Sequence, residues 1–322
     1  MSGHVDLSVV VPCFNEEEGV LEFHRRITAS CAETGAVNYE IIYVNDGSSD
    51  GTLKILRDLQ CQNRFVRVVD LARNYGHQIA LSAGLAHTRG DRVLTIDADL
   101  QDPPELLPLM MRKVEEGADV VYAQRRRRRG ESVFKRATAF VFYRLLARIG
   151  GTPIPVDTGD FRLMRREVVD VLVNMPEAHR FVRGLVGWIG FTQVPIRYDR
   201  DVRFAGTTKY PFLKMLAFSI DAITSFAITP LRIVFAISMC ALAMACLLLG
   251  WTLYSFLYLN AVPGWSSMMT MFLFFTSVQL FALAMIGEYV GRIFMESKRR
   301  PLYIIRAIYP PISSIGTGNL PG

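Results

Sequence analysis

The chain has 322 residues, 36 Lys and Arg against 30 Asp and Glu, a net charge of +6, and 51% hydrophobic residues. So apolar a chain with nearly balanced charge is not intrinsically disordered, and its length allows roughly two domains. The apolar excess has one source: Ile233–Gly287 contains no Asp, Glu, Lys, Arg or His, room for two spans of about 20 residues and a turn.

Up to about Ala123, short β-branched runs alternate with longer amphipathic ones. Leu7–Val11, Tyr39–Val44, Val66–Leu71, Val93–Ile96 and Val120–Ala123 read as strands buried on both faces. Glu17–Glu33, Thr52–Asn63, Gln78–Thr88 and Glu105–Gly117 between them read as helices. This alternation predicts an α/β fold, a mostly parallel sheet with helices on both faces and ligands at the carboxyl ends of the strands. No GxGxxG or GxxxxGK[ST] occurs, so neither dinucleotide binding nor a P-loop is supported.

The run QRRRRRGESVFKR at Gln124–Arg136 interrupts the pattern, and Ala137–Ile149 resumes a helical one. Tyr210–Thr229 is apolar but carries Lys214 and Asp221. It reads as an interfacial helix on a bilayer surface or, alternatively, as a helix packed on the core of the head. Two transmembrane helices are expected at Ile233–Leu259 and Met268–Gly291, with Pro263 and Gly264 in the turn between them. Net charge is +3 over Arg197–Arg232, +4 over Arg292–Arg306 and +6 over Gln124–Arg136, while the turn has none. The positive-inside rule then puts the head and both termini in the cytoplasm. The expected organisation is a catalytic domain at 1–210, a juxtamembrane segment at 211–231, the two spans at 232–292 and a cytoplasmic tail at 293–322.

Five cysteines show no CxxC, the five histidines are scattered and form no ligand pair, and the N-terminus shows no signal-peptide pattern. The head is therefore expected in a reducing cytosol. A nucleic-acid partner is not expected, because the arginine run lacks interleaved aromatics and no RNA module is present.

Four acidic or polar clusters follow predicted strand ends or a later turn: Pro12–Glu17, Asn45–Asp50, Asp97–Pro103 and Asp157–Arg162. Carboxylates at i and i+2 just past a strand can turn toward one ion, and such hard oxygen ligands suit Mg²⁺ or Mn²⁺ bridging substrate phosphates. One DxD alone is an ordinary solvated turn; four clusters on one sheet edge are hard to read that way. Asp50 and Asp102 read as turn or cap residues rather than ligands.

The strings VVPCFNEEE, VNDGSSDGT and DADLQDPPE resemble the inverting family 2 glycosyltransferases of GT-A (Rossmann-like) fold. GDFRLM, RFAGTTKY, ITSF, PLRI and GEYVGR followed by SKRRP resemble a narrower branch, the polyprenyl-phosphate glycosyltransferases. Bactoprenol (undecaprenyl phosphate) glucosyltransferases are nearest in that branch and dolichyl-phosphate mannose synthases more distant. The resemblance implies that Pro12, Asn15 and Glu17 lie along the nucleotide, that Asp46 binds uracil or ribose, and that Asp97 contacts the nucleotide-sugar. It further implies that Asp99 and Gln101 hold Mg²⁺ or Mn²⁺ and that Asp160 in GDFR, rather than Asp157, is the candidate catalytic base. Arg203 and Lys209 would clamp phosphate oxygens, with further basic positions at Arg125 and at Lys135 or Arg136. Five consecutive arginines depart from the family pattern, which leaves open which of Arg125–Arg129 faces the substrate.

The implied donor is a UDP-sugar, the acceptor a polyprenyl phosphate in the membrane, and the assembly a homo-oligomer in a bacterial inner membrane. Glucose is the sugar the branch favours; GlcNAc, mannose or an aminoarabinose-type donor are alternatives. A processive polysaccharide synthase would show a QxxRW motif, which is absent. A non-catalytic nucleotide-sugar-binding scaffold would have lost the acidic residues retained at Asp97, Asp99 and Asp160.

Overall fold

The computed structural model describes residues 4–36, 38–125, 158–177, 180–199 and 264–311, with scattered positions between 234 and 254. The expected helices at Ala137–Ile149 and Tyr210–Thr229, the arginine run beyond Arg125, and Lys135, Arg136, Arg203 and Lys209 lie outside the described residues. The chain divides into two compact units, a head built on a sheet and a second unit containing a long apolar helix.

Residues of the head alternate in the order β1 (Leu7–Cys13), α1 (Val20–Glu33), β2 (Tyr39–Asn45), α2 (Thr52–Gln62), β3 (Val66–Leu71), α3 (His77–Ala86) and β4 (Arg92–Thr95). A short 3₁₀ turn at Pro104–Leu106 leads into α4 (Leu107–Glu115) and β5 (Val120–Arg125). After the undescribed segment come β6 (Thr158–Arg165), α5 (Arg166–Asn174), α6 (Val182–Ile189) and β7 (Gln193–Tyr198). The second unit contains α7 (Trp265–Ser297), and the chain then adds β8 (Ile305–Tyr309) to the head.

The eight strands lie in the order β7-β5-β6-β4-β1-β2-β3-β8. The inner four, β4-β1-β2-β3, are parallel, and β6 and β8 run against their neighbours. Every residue of β1 is buried, as a strand covered on both faces must be. On one face Phe23 and Ile27 of α1, Leu56 of α2 and Met110 of α4 join the strand side chains in a single core. The spacing of Val20, Phe23, Ile27 and Cys31 gives α1 one apolar stripe, and burying a side chain of Phe or Ile size contributes about 1.5–3 kcal/mol. The other face is covered by α3, whose Ala80 and Ala83 pack on Ile42, Val44, Val69 and Leu71.

β8 is an element the sequence pattern did not announce, and it occupies a sheet edge beside β3. Ala72 N–H donates to the Ile304 carbonyl at 2.9 Å, and the Arg306 guanidinium donates to the Ala72 carbonyl at 2.6 Å. Arg306 also lies 3.7 Å from the buried carboxylate of Asp70, which accepts from Asn45 Nδ2 at 2.7 Å. The edge that β3 would otherwise expose is thereby covered.

Within the second unit, Phe274–Ser297 is the stretch among the described residues that is long and apolar enough to cross a membrane. The second expected span falls within α7, and Glu288 pairs there with Arg292 at 2.9 Å. Most of the first expected span lies outside the described residues, and those described between 234 and 254 are helical.

The small residues of α3 let it sit close to the sheet. A Cβ on Gly84 would stand 2.3 Å from Val10 Cγ1 and 3.0 Å from Val44 Cγ2. Both neighbours are fully buried β-branched side chains, which have little freedom to yield. Gly84→Ala would gain about 1 kcal/mol of helix propensity, but overpacking costs typically about 1–3 kcal/mol. We expect net destabilisation, read as a lower thermal unfolding midpoint of the full chain in detergent; an unchanged or raised midpoint would contradict this packing.

Candidate active site

The parallel strands deliver their acidic loops to one rim. β1 ends at Cys13, β2 at Asn45 and β4 at Thr95, and each is followed by one of the clusters singled out in the sequence. β6 reaches the same rim from its opposite end. Its register pairs Thr95 with Arg162, so continuing the antiparallel pairing sets Asp160 across from Asp97.

Among the described residues, two of the three non-glycine residues with left-handed backbone, Asn15 (φ 56°) and Leu100 (φ 58°), lie in these loops. Asn tolerates that conformation, but for Leu it costs about 1–2 kcal/mol, strain of a kind that concentrates at functional sites. Leu100 is buried in the core, which holds the turn between Asp99 and Gln101 in place. Gly47 (φ 65°) is needed both for its conformation and for space, since a Cβ there would meet the Arg73 backbone at 2.5 Å.

The first two loops are fastened to each other. Asn15 Oδ1 accepts from Ser49 N–H at 2.9 Å, the Glu17 carboxylate accepts from Gly51 N–H, and Ser48 Oγ accepts from Asn15 N–H at 3.1 Å. Pro12 lies in β1, paired with Val44. Asp46 is buried and accepts from Tyr75 N–H at 2.7 Å and Gly76 N–H at 2.9 Å. Burial raises its pKa, against those two hydrogen bonds. It thus anchors the loop after β3, and any contact to a nucleotide would use the remaining lone pairs of its carboxylate. Asp50 accepts from Thr52 N–H at 3.0 Å at the start of α2, as a turn or cap residue does, whereas Asp102 is buried and accepts from the Tyr198 hydroxyl of β7, a long-range contact rather than a turn or cap.

Asp160 is the most heavily engaged of the candidate residues. Its side chain is 7% exposed. Oδ2 accepts from Gln78 Nε2 at 2.8 Å and lies 3.2 Å from His77 Nε2. Oδ1 faces Arg183 at 3.6 Å and Arg162 at 3.7 Å, ion pairs too long to be hydrogen bonds. Burial opposes its ionisation, but His77, Arg183 and Arg162 outweigh it and hold the carboxyl far below the usual carboxylate range. Gln78 is itself fixed, accepting from Val182 N–H at 2.9 Å, so α3, α6 and β6 meet at this carboxylate.

Asp97 is the opposite case. Its Oδ1 is buried and accepts no hydrogen bond, with His77 Nε2 at 3.4 Å. Burial raises its pKa to about 6; His77 lowers it, and the charges of Asp160, Asp99 and Asp102 raise it further. Asp99 accepts from Gln101 N–H at 3.1 Å, closing a turn. Among the described residues no group of three or more His, Cys, Asp or Glu is gathered to hold a metal. The oxygen donors at Asp97, Asp99 and Gln101 nevertheless fit a hard divalent cation by chemistry, since crowded carboxylates and an orphaned acidic oxygen lack positive charge. Mg²⁺ commonly takes one or two protein carboxylates and completes its shell with substrate phosphate and water. Arg125 closes β5, and its side chain lies outside what the structure describes.

His77, Gln78, Arg162 and Arg183 complete the site, and sequence reasoning missed all four. His77 was set among scattered histidines, and Arg162 was only a letter of GDFR. The available signal was the position of His77 at the mouth of the third helix, on the same rim as the acidic loops.

An α/β sheet with acidic loops meeting at the carboxyl ends of its parallel strands belongs to the class that binds ligands at that rim. Comparison with known proteins makes this specific. Residues 8–173 match the Glycosyl transferase family 2 model and residues 229–293 match the GtrB C-terminal hairpin. The chain is 45% identical to the Bacillus subtilis (strain 168) glycosyltransferase YkcC, over 96% of each chain. It is 38% identical to the Escherichia coli (strain K12) prophage bactoprenol glucosyl transferase homolog, over 94% of this chain and 99% of that one. The bactoprenol glucosyl transferase of Shigella phage SfV is 39% identical over 93% of this chain and 98% of its own. The chain belongs to glycosyl transferase family 2 and is a glycosyltransferase.

Asp97 gives a pH prediction. Its folded pKa is raised to about 6, above the unfolded value of about 3.9, so its ionised form destabilises the fold. That penalty grows as pH rises from about 4 to 6 and is complete above. Asp97→Asn should therefore raise the thermal midpoint at pH 7.5 while differing little from the native chain near pH 4. A gain confined to low pH would show the sign to be wrong.

Proposed function

We propose that the protein is a membrane-bound inverting glycosyltransferase that moves one hexose, glucose, from a UDP-sugar to a polyprenyl phosphate such as undecaprenyl phosphate. The observation that carries this reading is end-to-end similarity to proteins named bactoprenol glucosyl transferase, in a chain that also brings Asp97 and Asp160 to one imidazole. The apolar stretch Ile233–Gly287 and the GtrB-type hairpin match support two spans, a bacterial inner membrane and a cytosolic head. The domain limits proposed are 1–210, 211–231, 232–292 and 293–322, with the strand β8 of the last segment built into the head. Assembly as a homo-oligomer belongs to the same reading.

In this proposal Pro12, Asn15 and Glu17 line the nucleotide, and Asp46 supports it through the loop it anchors. Asp97 contacts the nucleotide-sugar, and Asp99 with Gln101 would hold Mg²⁺ or Mn²⁺. When bound, that cation stabilises charge developing on the departing diphosphate. Arg203, Lys209, Arg125 and Lys135 or Arg136 supply cationic donors for phosphate oxygens, among them those of the acceptor. Attack by the acceptor oxygen opposite the leaving group inverts the anomeric centre.

A phosphate monoester has a second pKa of about 6, so the acceptor is largely a dianion at neutral pH and needs little help from a base. A carboxylate surrounded by His77, Arg162 and Arg183, with its basicity suppressed, is suited to positioning. Asp160→Asn is expected to lower kcat by roughly 100-fold or more, a loss of the order seen when a preorganised electrostatic group is removed. The ratio to the native chain should stay flat from pH 6 to pH 8. A deficit much larger at pH 6 would make Asp160 a true base. Thermal unfolding must accompany the assay, because removing one partner of a buried ion pair destabilises by about 3–5 kcal/mol.

The reaction itself is tested by incubating membranes containing the protein with radiolabelled UDP-glucose and short-chain polyprenyl phosphate, with Mg²⁺, Mn²⁺ or EDTA. Label should partition into the lipid phase and vanish with EDTA. No lipid-soluble label from UDP-glucose, UDP-GlcNAc or other nucleotide-sugars would overturn the proposal, and label insensitive to EDTA would remove the metal from it.

A further inference from the structure

The strand β8 closes a sheet edge, and one of its side chains is aimed back into the sheet. Its pairing with β3 sets Asp70 against Ala307 and Leu71 against Ile305, so Arg306 is an extra residue with no opposite number, a β-bulge. Bulges redirect side chains and are frequent beside active sites. Here the Arg306 guanidinium turns toward β3, donating to the Ala72 carbonyl at 2.6 Å and lying 3.7 Å from Asp70 Oδ2. The far end of the strand is pinned as well. Gln60 Nε2 donates to the Pro310 carbonyl, and the Arg57 guanidinium stands over the Tyr309 ring, 4.8 Å from its centroid.

Both groups that Arg306 holds lie at the base of loops on the proposed nucleotide side of the rim. Asp70, with a side chain 2% exposed, is a buried carboxylate that none of the roles assigned above uses. Its Oδ1 accepts from Nδ2 of Asn45 at 2.7 Å, and Asn45 is its lateral partner at the end of β2. Asn45 Oδ1 accepts in turn from Ser48 N–H at 3.3 Å, so both ends of that amide are committed. Ala72 opens the segment that runs to Tyr75 and Gly76, whose N–H groups donate to Asp46. The two loops meet at Gly47, where there is no room for a Cβ against the Arg73 backbone. A buried carboxylate stripped of its cation is strongly destabilising, and Arg306 is the cation paired with Asp70 among the described residues.

We infer that Arg306 is a positioning residue for the donor nucleotide: through Asp70 and Ala72 it fixes the loops after β2 and β3, so that a strand following the long apolar helix completes the nucleotide side of the site. The inference rests on the proposed function, in which Asp46 and its loop support the nucleotide. Arg306 acts through these loops and touches no substrate. Only Lys298–Ile304 separates the end of α7 from β8, so the stretch of chain that leaves the apolar helix is also the one that braces the donor loops.

The test compares the native full chain in detergent with Arg306→Gln and Arg306→Lys. The Arg306 side chain is 59% exposed, which favours folding of both variants. Gln keeps a donor for the Ala72 carbonyl but brings no charge to Asp70; Lys keeps the charge. With Mg²⁺ present, Arg306→Gln is expected to weaken calorimetric UDP binding by roughly 3- to 30-fold, the range for a residue acting through packed neighbours. KM for UDP-glucose should rise in step while kcat stays near native, and Arg306→Lys should recover most of the loss. Hydrogen exchange should quicken in segments 45–51 and 72–76 while β1 and α1 keep their protection. A merely structural role would instead lower protection across the sheet and reduce kcat through the folded fraction, leaving KM unchanged. Native UDP affinity in Arg306→Gln, unchanged exchange in the two loops, or a Lys variant no better than Gln would overturn the inference while leaving the transferase reading intact. A native chain that binds no UDP would overturn both, a result distinct from the others because in those the native chain binds.

Discussion

Carboxylates that converge on one edge of a sheet repel each other, and the architecture of this head is organised around that repulsion. Oxygens of Asp97 and Asp160 both lie within 3.4 Å of a single nitrogen, close enough for like charges to cost of order 2–3 kcal/mol at an effective dielectric near ~20. The protein resolves it unequally. Asp160 is surrounded by Gln78, His77, Arg162 and Arg183 and stays ionised. Among the described residues Asp97 has His77 as its one ion-pair partner, and burial with the neighbouring carboxylates raises its pKa to about 6. Each carboxylate keeps a buried oxygen that accepts no hydrogen bond, but that of Asp160 faces two guanidinium groups, whereas Asp97 is the carboxyl whose pKa is raised.

The elements around the pair keep this asymmetry in place. β6 runs against β4, which brings Asp160 to the rim from the opposite direction to Asp97. α3 lies close enough to the sheet, through Ala80, Ala83 and Gly84, for His77 and Gln78 at its start to reach β6. α6 contributes Arg183 and, through Val182 N–H, fixes the carbonyl end of the Gln78 amide. Loops that carry left-handed residues at Asn15, Gly47 and Leu100 are tied to neighbours rather than free, so the rim is preorganised before a substrate arrives.

Much of this was legible in the sequence, for a physical reason. Strands β1 to β5 and helices α1 to α4 bury continuous or 3.6-periodic apolar runs, and the predicted limits fall within a few residues of those observed, as with Tyr39–Val44 against Tyr39–Asn45. The acidic clusters were visible because parallel strands must end at a common rim. Beyond the arginine run the long helix α7 was expected as the second span, but the elements that complete the head were not foreseen. β6 carries Asp160 and Arg162 as buried charges, so no hydrophobic period marks it. β7 and β8 are partly exposed strands whose partners lie far away in the chain. His77 was invisible for a related reason: its significance lies in two contacts separated from it by 20 and 83 positions, which no local pattern encodes.

The chemistry of the acceptor explains why such a site suits the proposed reaction. An alcohol acceptor must lose a proton as it attacks, and the enzyme then needs a carboxylate or imidazole near its own pKa. A phosphate monoester is already ionised, and what it requires is desolvation, alignment and relief of charge repulsion from the departing diphosphate. Strong pairing of Asp160 with three cations would cripple a general base, yet it makes a rigid anchor for the groups that meet phosphate. The suppressed basicity of Asp160 and the cationic surroundings that cause it are therefore one design. It favours an acceptor that brings its own negative charge, and the apolar stretch that follows the head in the chain is what a lipid-borne acceptor of that kind would require.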